Sequence, residues 1–336
     1  MEFISDVGGF LVKAVILVAA LIIIIGVIAN AAQRKKDEKG ELHIRNLSND
    51  LRDTTDKIRL QLLDKKERKK SFKKLQKERK AQAKGGSDKP EQRLFVIDFH
   101  GSMDAHEVAS LTREVNAVLA VATSDDAVFV RLESGGGVVH GYGLGAAQLQ
   151  RLRDHGLRVH VSVDKVAASG GYMMACIAHE IHAAPFAIVG SIGVIAQLPN
   201  FHRWLKKHDV DFEQLTAGEY KRTLTLFGEN TEQGRQKFKD DLENIHKQFK
   251  SFVKEHRPEV DIDKVATGEI WTGQEAIELK LVDEVITSDA WLLKRVDEYR
   301  IYKVEYQTKK GLGERLGRHT TAMLRSLKEF VAVKHG

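Results

Sequence analysis

The sequence predicts an α/β protein whose core is a parallel β-sheet. From residue 93 onward, short apolar runs alternate with amphipathic segments, which is the pattern of strands connected by crossover helices. We expect strands over 93–99, 127–133 and 158–163, and helices over 105–120 and 143–153. Functional groups of such folds gather in the loops that follow the carboxyl ends of the strands.

A membrane anchor is predicted over residues 1–33 of the 336-residue chain. Residues 10–32 are apolar apart from Lys13 and Asn30, and at about 1.5 Å per helical residue this run is long enough to cross a bilayer. Acidic Glu2 and Asp6 precede the run and basic residues follow it, which reverses the order found in a cleaved signal peptide. The positive-inside rule then places the remaining chain in the cytoplasm, with the periplasm as the alternative.

A basic helical linker is predicted over residues 34–90. Its Lys and Arg residues outnumber Asp and Glu about two to one, so the basic charge of the chain is concentrated here. Sparse apolar residues at helical spacing predict an exposed helix over 41–83, a spacer close to anionic lipid headgroups. Because basic residues alone do not read bases, we expect no specific nucleic-acid partner. The breaker sequence GGSDKP at 85–90 ends the linker, and we divide the rest into a domain over 91–300 and a basic tail over 301–336.

Two loops at strand ends have compositions suited to chemistry. Ser134-Gly135-Gly136-Gly137 follows the second predicted strand, and its glycines allow backbone N–H groups to approach a ligand, as an oxyanion hole requires. It lacks the spacing of a dinucleotide or phosphate loop, and a plain turn is its alternative interpretation. In the second loop, small residues surround Ser169 before an apolar helix, which suits a nucleophile; a simple helix N-cap is the alternative.

A serine hydroxyl needs a base, and the sequence offers Lys221 downstream of the second loop. Lysine accepts a proton only when its ammonium has lost one near neutral pH, which requires burial and the absence of a carboxylate partner. Taken alone, Lys221 would be interpreted as an ordinary surface lysine. Lys165, which precedes Ser169 by four residues, is a competing base.

The combination of five motifs favours the catalytic interpretation. In chain order they are SGGG at 134–137, KVAASGGYMMA at 165–175, VGSIGVIAQ at 189–197, GEYKRTLTLFGENT at 218–231 and ATGEIWTGQEAIELKLVDEV at 266–285. Their order and spacing resemble the signal peptide peptidase A family of Ser/Lys proteases, and within it the shorter, membrane-anchored SohB group. The resemblance covers residues 93–285, and the anchor and basic helix also match the arrangement of that group.

The resemblance implies a ClpP/crotonase-like fold of repeated ββα units and a site that hydrolyses peptide bonds. The nucleophile of the family falls on Ser169 and its lysine on Lys221, 52 residues downstream. A second serine, which orients the lysine in the family, falls on Ser191.

The resemblance further implies an oxyanion hole formed by the strand-end glycine loop and the residue after the nucleophile, here Gly136, Gly137 and Gly170. It implies no metal and no organic cofactor. The expected partners are polypeptide substrates, membrane lipid around the N-terminal helix and further copies of the same chain, at the inner membrane of a bacterium.

Two positions depart from the family pattern. Gly135 stands where the family has proline, and the lost restriction of φ should loosen the glycine loop. Lys280 stands where the family usually has glycine, near a predicted helix end.

Other candidate sites match known patterns less well. In His179-Glu180-Ile181-His182 the histidines are three residues apart, not four as in the zinc motif H-E-x-x-H, so we expect no metal there. Cys176, the single cysteine, excludes an internal disulfide and is predicted to be a buried thiol.

Asp98 and His100 alternate on one strand and could form part of a Ser-His-Asp triad.

Two functions of other classes are compatible with the same architecture. An acyl-CoA enzyme would need neither the Ser169 and Lys221 pair nor an anchor, and an inactive membrane scaffold would not need to retain Ser169, Lys221 and Ser191 together.

Overall fold

The computed structural model describes residues 40–84 and 92–308. The predicted membrane anchor, the GGSDKP segment and most of the predicted tail lie outside the described residues. Within the described residues, no helix combines the length and apolar character needed to cross a bilayer. The chain divides into two compact units, His43–Glu305 and a second unit that includes both chain ends, of which the structure describes 40–42 and 306–308.

Ten strands and ten helices are described in these ranges. The strands are β1 (Gly40–Asn46), β2 (Arg93–Gly101), β3 (Ala127–Ser134), β4 (Arg158–Val163), β5 (Val166–Ala168), β6 (Glu180–Ala183), β7 (Ile188–Gly190), β8 (Ile270–Thr272), β9 (Glu284–Val285) and β10 (Arg300–Thr308). The helices are α1 (Leu47–Leu62), α2 (Lys65–Lys84), α3 (Val108–Leu119), α4 (Val139–Asp154), α5 (Gly170–Ala175), α6 (His202–Lys207), α7 (Glu232–His256), α8 (Ile262–Val265), α9 (Gly273–Glu278) and α10 (Ser288–Arg295).

The strands form one mixed sheet that forks at the end of β3. Its main path runs β1-β10-β2-β3-β4-β6-β9, and the pairs from β10 to β9 are parallel. At the fork, Ser134 at the end of β3 pairs with Ala167 of β5. From there β5 pairs in parallel with β7, which pairs antiparallel with β8. The fork places β5, β7 and the end of β3 side by side, and the loops that follow these strands form the candidate site.

The sheet buries both faces because its central strands are almost continuously apolar. On one face, α3, α4 and α5 pack on alternate residues of β2 and β3, such as Ile97 and Val130. On the other face, Trp291 of α10 is fully buried and stacks on Phe129 of β3, with ring centroids 4.4 Å apart. Burial on both faces is typical of parallel sheets covered by crossover helices. The predicted α/β class is therefore confirmed.

The strand and helix predictions for the domain agree with the structure. The three predicted strands correspond to β2, β3 and β4, and the two predicted helices correspond to α3 and α4. Cys176 is fully buried, as predicted, and burial raises the pKa of its thiol above the ordinary range. Its sulfur donates to the carbonyl of Met173 at 3.2 Å, so this thiol is a structural group.

The predicted continuous helix over 41–83 is wrong at its beginning and at its middle. Residues 40–46 form β1, a neighbour of β10 in the sheet, because strand pairing overrides the weak helical pattern there. Asn46 then caps α1 by accepting a hydrogen bond from the Asn49 N–H at 3.0 Å. A break follows Leu62, where the Asp64 carboxylate accepts from the N–H groups of Lys66 and Glu67 and starts α2. The sheet therefore includes strands that lie outside the predicted domain of residues 91–300, namely β1 before it and most of β10 after it.

The departure at Lys280 has a structural explanation. Lys280 follows α9 with φ of +60°, and its N–H donates to Ile277 while Leu281 N–H donates to Ala276, at 3.1 and 2.9 Å. This is the Schellman arrangement of a helix C-terminus, in which the left-handed residue is usually glycine. After α4 the same arrangement has Gly156 at φ of +87°. Lys280 therefore carries a strain that glycine would remove.

We expect Lys280→Gly to raise the free energy of unfolding by about 0.5–1 kcal/mol, because the left-handed penalty of about 1–2 kcal/mol is partly offset by the greater unfolded-state entropy of glycine. Gly156→Lys, the reverse change at the matching position, should lower it by a similar amount. Chemical denaturation of the purified full chain measures both. If both variants moved the denaturation midpoint in the same direction, backbone strain would not be the cause.

Candidate functional site

Ser169 occupies a sharp turn between β5 and α5. Its backbone has φ of 51° and ψ of −119°, a combination that non-glycine residues rarely adopt. An N-cap serine has extended dihedral angles and accepts a hydrogen bond from the helix, whereas Ser169 makes no such bond with its side chain. A strained strand-to-helix turn of this kind presents the nucleophile in other hydrolase folds. The geometry therefore disfavours the simple N-cap interpretation.

The glycine loop after β3 lies against this turn. A Cβ atom built on Gly136, which has φ of +85°, would lie 2.7 Å from both the Ala168 carbonyl oxygen and the Gly170 nitrogen. A Cβ on Gly137 would overlap the Met103 carbonyl oxygen. By contrast, nothing lies within 4 Å of a Cβ built on Gly135, the position where proline was expected. Close packing therefore requires glycine at the last two positions of the loop and not at the first.

The three predicted oxyanion glycines differ in the state of their N–H groups. Gly136 N–H donates to Ser134 Oγ at 3.0 Å, so it is already used within the loop. Neither Gly137 N–H nor Gly170 N–H has a hydrogen-bond partner among the described residues. The structure therefore leaves Gly137 and Gly170 as the available donors and gives Gly136 a steric role.

A hydrogen-bond network under the loop was not anticipated from the sequence. Ser134 Oγ, which is buried, contacts Tyr142 Oη of α4 and lies 3.3 Å from the Gly101 carbonyl oxygen. Tyr142 Oη donates to the Ser102 carbonyl at 2.7 Å, and burial raises the pKa of this phenol. The Tyr142 ring also fills the space beside Gly170, where a Cβ would overlap it. The only signal in the sequence was a tyrosine five residues after the glycine run.

Ser191 lies beside the Ser169 turn. Ala168 pairs with Gly190 in the parallel β5–β7 register, and Ser169 N–H donates to the Gly190 carbonyl at 2.8 Å. Ser191 also has a positive φ of 51°, and its N–H donates to the Glu269 carbonyl at 2.6 Å. The structure therefore brings Ser169 and Ser191 to equivalent positions at the ends of neighbouring strands.

Lys221 is exposed in the single chain. It lies in the region between β7 and α7, where α6 is the only described element. Its backbone N–H donates to the Gly218 carbonyl at 3.2 Å, and its side chain is exposed. Lys221 lines an open pocket of about 720 Å³ together with Leu215 and Phe227, and this pocket contains neither Ser169 nor Ser191. The burial predicted for the lysine is not present in one chain alone.

The rival residues are engaged in other interactions. Both oxygens of Glu133 lie within 3.0 Å of Lys165 Nζ, so this lysine has the carboxylate partner that a general base must lack. The Asp98 carboxylate is bound by Arg131 at 2.6 and 2.8 Å and by Lys303 at 2.9 Å, which leaves it unavailable to orient a histidine. These contacts argue against Lys165 as the base and against a triad that uses Asp98.

Comparison with known proteins identifies the family. The model "Peptidase family S49 N-terminal" matches residues 2–149, and the model "Peptidase family S49" matches residues 151–300. "Probable protease SohB" of Haemophilus influenzae is 46% identical over 327 residues, covering 94% of this chain and 93% of the relative. "Probable protease SohB" of Buchnera aphidicola subsp. Acyrthosiphon pisum is 56% identical over 224 residues, covering 67% of each chain.

"Protease 4" of Haemophilus influenzae is 30% identical over 201 residues, which is 57% of this chain and 32% of that relative. Among solved structures, a mutant of the membrane-bound stomatin-specific protease 1510-N aligns with a TM-score of 0.42 at 14% identity and covers 62% of this chain and 86% of that one, a similarity on which we base no argument. The family models and the long SohB alignments confirm the resemblance drawn from the five motifs: the chain is a peptidase and belongs to peptidase family S49.

Proposed function

We propose that this S49 peptidase cleaves polypeptides with Ser169 as nucleophile and Lys221 as general base. The observation that carries the proposal is the strained turn at Ser169, which makes no capping bond and packs against the glycine loop, with the N–H groups of Gly137 and Gly170 unpaired among the described residues. A serine hydroxyl beside a loop with free N–H donors is the combination needed to stabilise a tetrahedral oxyanion. We also infer a ClpP/crotonase type of fold, because the parallel sheet forks at β3 and places the site at the fork.

In the proposed mechanism, neutral Lys221 removes the proton of Ser169 Oγ, which attacks the carbonyl carbon of the peptide bond. The carbonyl oxygen becomes an oxyanion that accepts from Gly137 and Gly170 N–H. Collapse of this intermediate breaks the C–N bond, and the amine leaves with the proton returned by Lys221. Water, deprotonated by the same lysine, then hydrolyses the ester on Ser169. Ser191 positions the amine of Lys221 by a hydrogen bond, in accordance with its place beside Ser169.

A neutral lysine needs a dry environment, and we propose that neighbouring subunits supply it. The segment between β7 and α7, which contains Lys221, exposes several large apolar side chains, among them Leu215 at 94% exposure and Ile195 at 78%. Large exposed apolar surfaces are typical of interaction sites. Assembly of several copies would cover this surface and remove water from Lys221, which meets the requirement that the single chain does not meet.

We further propose that the chain is held at the inner membrane of a bacterium by the predicted N-terminal span. The supporting observations are the apolar run over 10–32 and the basic residues of the linker, many of which lie on α2. On the charge bias the peptidase domain faces the cytoplasm. Its substrates would be extended segments with small or apolar residues at the cleaved bond, such as remnant signal peptides or fragments of membrane proteins.

The two rival functions are less well supported. An acyl-CoA enzyme would not require the Ser169 turn to lie beside Ser191. An inactive scaffold would not need to retain Ser169, Lys221 and Ser191 together, and all three are present. Covalent labelling separates both rivals from a serine peptidase.

The first prediction concerns the dyad. In the full chain purified in detergent, a fluorophosphonate should label wild type, and Ser169→Ala should abolish labelling because it removes the attacked hydroxyl. Lys221→Ala should lower the labelling rate and peptide turnover by about 10²–10⁴-fold, the usual contribution of a general base. Lys165→Ala is the matched control and should change both rates by less than a few-fold.

Mass spectrometry of the labelled peptide locates the adduct. Labelling of Lys221→Ala at the wild-type rate would show that another group is the base. A wild type that assembles yet neither labels nor cleaves casein would favour the scaffold.

The second prediction concerns the glycine loop. Gly137→Ala should lower turnover by about 10²–10³-fold, because its Cβ would overlap the Met103 carbonyl and displace an oxyanion donor. Gly135→Ala should stay within a few-fold of wild type, since its Cβ meets nothing within 4 Å. Steady-state cleavage of an apolar peptide measures both, with thermal melting as a check on folding. Equal losses in the two variants would contradict the assigned donor.

The third prediction concerns assembly. Leu215→Asp changes an exposed side chain and should leave the fold intact while lowering both the assembled fraction and turnover. Leu293→Asp, on the exposed side of α10, is the matched control and should change neither. Analytical ultracentrifugation over a dilution series, with activity measured at each concentration, tests the relation. Full activity of wild type at concentrations where it is monomeric would refute the proposed role of assembly.

A further inference from the structure

A cluster of buried histidines lies on the face of the sheet that α10 covers. His160 on β4 pairs with Glu180 on β6 in the parallel register, and His182 lies on the same face because alternate residues of a strand share a face. His160 and His182 are 4% and 1% exposed, and both rings lie within about 5 Å of the Trp291 ring. None of these residues has a part in the proposed hydrolysis.

Three potential ligand atoms converge in this cluster. His160 Nδ1 lies 3.3 Å from His182 Nε2 and 3.4 Å from Glu180 Oε2. His182 Nε2 lies 3.9 Å from the same carboxylate oxygen. Tetrahedral coordination with bonds of about 2.0–2.2 Å places neighbouring ligand atoms about 3.3–3.6 Å apart, which matches two of these separations, whereas the distance from His182 to Glu180 would have to shorten on binding. We propose that His160, Glu180 and His182 bind a Zn²⁺ ion.

The groups around the cluster support this assignment. Glu284, which pairs with His182 between β6 and β9, places Oε2 at 3.2 Å from His182 Nδ1. This Nδ1 makes no hydrogen bond within the described part of the chain, but the charge of the nearby carboxylate favours a proton on that atom, which leaves the Nε2 lone pair for a metal, as in carboxylate–histidine–zinc sites. Arg158 binds the other oxygen of Glu180, so Oε2 remains directed at the imidazoles.

An unpaired hydroxyl at the cluster is a second, independent observation. Ser162 Oγ is buried without a hydrogen-bond partner in the described part of the chain, and Ser162 pairs with His182 in the strand register. Leaving such a group unpaired costs about 1–3 kcal/mol. Water in the fourth coordination position of the metal would give this hydroxyl a partner.

The ligand types select among metals. Two imidazole nitrogens and one carboxylate oxygen suit Zn²⁺ and its neighbours in the transition series, whereas Ca²⁺ and Mg²⁺ prefer sites built from oxygen. Zinc also accepts tetrahedral geometry without preference from d electrons. We therefore assign the site to Zn²⁺ rather than to an alkaline-earth ion.

The sequence pattern did not predict this site. The helical motif H-E-x-x-H was the template against which His179 and His182 were compared, but these residues lie in and beside a strand. His179 Nδ1 instead accepts from the Val159 N–H at 3.0 Å. The relevant spacing is two residues, from Glu180 to His182, and the third ligand, His160, comes from the adjacent strand.

A metal at this position would clamp the strands that precede the catalytic turns. It would join β4, which leads into β5 and Ser169, to β6, which leads into β7 and Ser191. The site is structural and separate from the peptidase chemistry, so its test does not depend on activity.

The test is metal binding by the full chain in detergent after dialysis against EDTA. Titration calorimetry should show one Zn²⁺ bound per chain, Co²⁺ should give the intense visible absorption of a four-coordinate site, and Zn²⁺ should raise the melting temperature. Glu284→Gln should weaken binding about 10- to 100-fold, as measured for groups that orient a ligand. Glu180→Gln removes a ligand and should weaken it further. His155→Gln, a change at an exposed histidine, is the matched control and should bind as wild type.

X-ray absorption of the zinc-loaded wild type checks the ligands without any variant and should show two imidazoles. Absence of stoichiometric binding to wild type would overturn the proposal. Binding by Glu180→Gln with wild-type affinity, or a zinc spectrum without imidazole, would do the same. If Glu180→Gln fails to fold, the spectrum and the Glu284→Gln affinity still decide the question.

Discussion

The structure depends on the close approach of three backbone segments where the sheet forks. The turn at Ser169 is tied to β7 by its N–H bond to the Gly190 carbonyl, and the loop through Gly136 and Gly137 packs against it from the side of β3. A Cβ added at Gly136 would push the loop away from the Ser169 turn, and one added at Gly137 would push it away from Met103. On the proposed mechanism, the N–H groups of the oxyanion hole must be fixed within a fraction of an ångström, so this contact sets what the rest of the fold must hold in place.

Buried polar groups hold the segments from behind. Tyr142 joins the end of β2 to Ser134 at the end of β3, so one side chain braces two strand ends. On the other flank, the Arg257 guanidinium binds both oxygens of Asp283 at 2.8 Å, and Asp283 accepts from the Ile181 N–H. This bidentate pair fixes the end of α7 to β6. Removing Asp283 would leave the buried guanidinium of Arg257 without its partner, which is why this pair holds its geometry strongly.

Sequence reasoning succeeded where the chemistry is local. The strands β2, β3 and β4 were predicted from apolar runs, and Ser169 and the glycines from the composition of two strand-end loops. Sequence reasoning failed where the conformation of a segment depends on residues that lie far away in the chain. Residues 40–46 are extended because β10, more than 250 residues away, is their neighbour in the sheet. The histidine cluster was missed for the same reason, since its ligands belong to two strands that only the register brings together.

Lys221 is the proposed catalytic residue whose required environment is not provided by one chain alone. The proposed donors and nucleophile lie in turns that directly follow strands of the sheet, whereas Lys221 lies in an exposed region with little regular structure. On the proposed mechanism, the two parts of the site have different requirements. The oxyanion hole requires only close packing of the backbone, whereas the general base requires water to be removed from its surroundings. If neighbouring copies remove that water, an isolated chain holds the proposed hole but lacks the environment that the proposed base requires. Proteolysis would then be confined to assembled protein, which protects other polypeptides from newly made single chains.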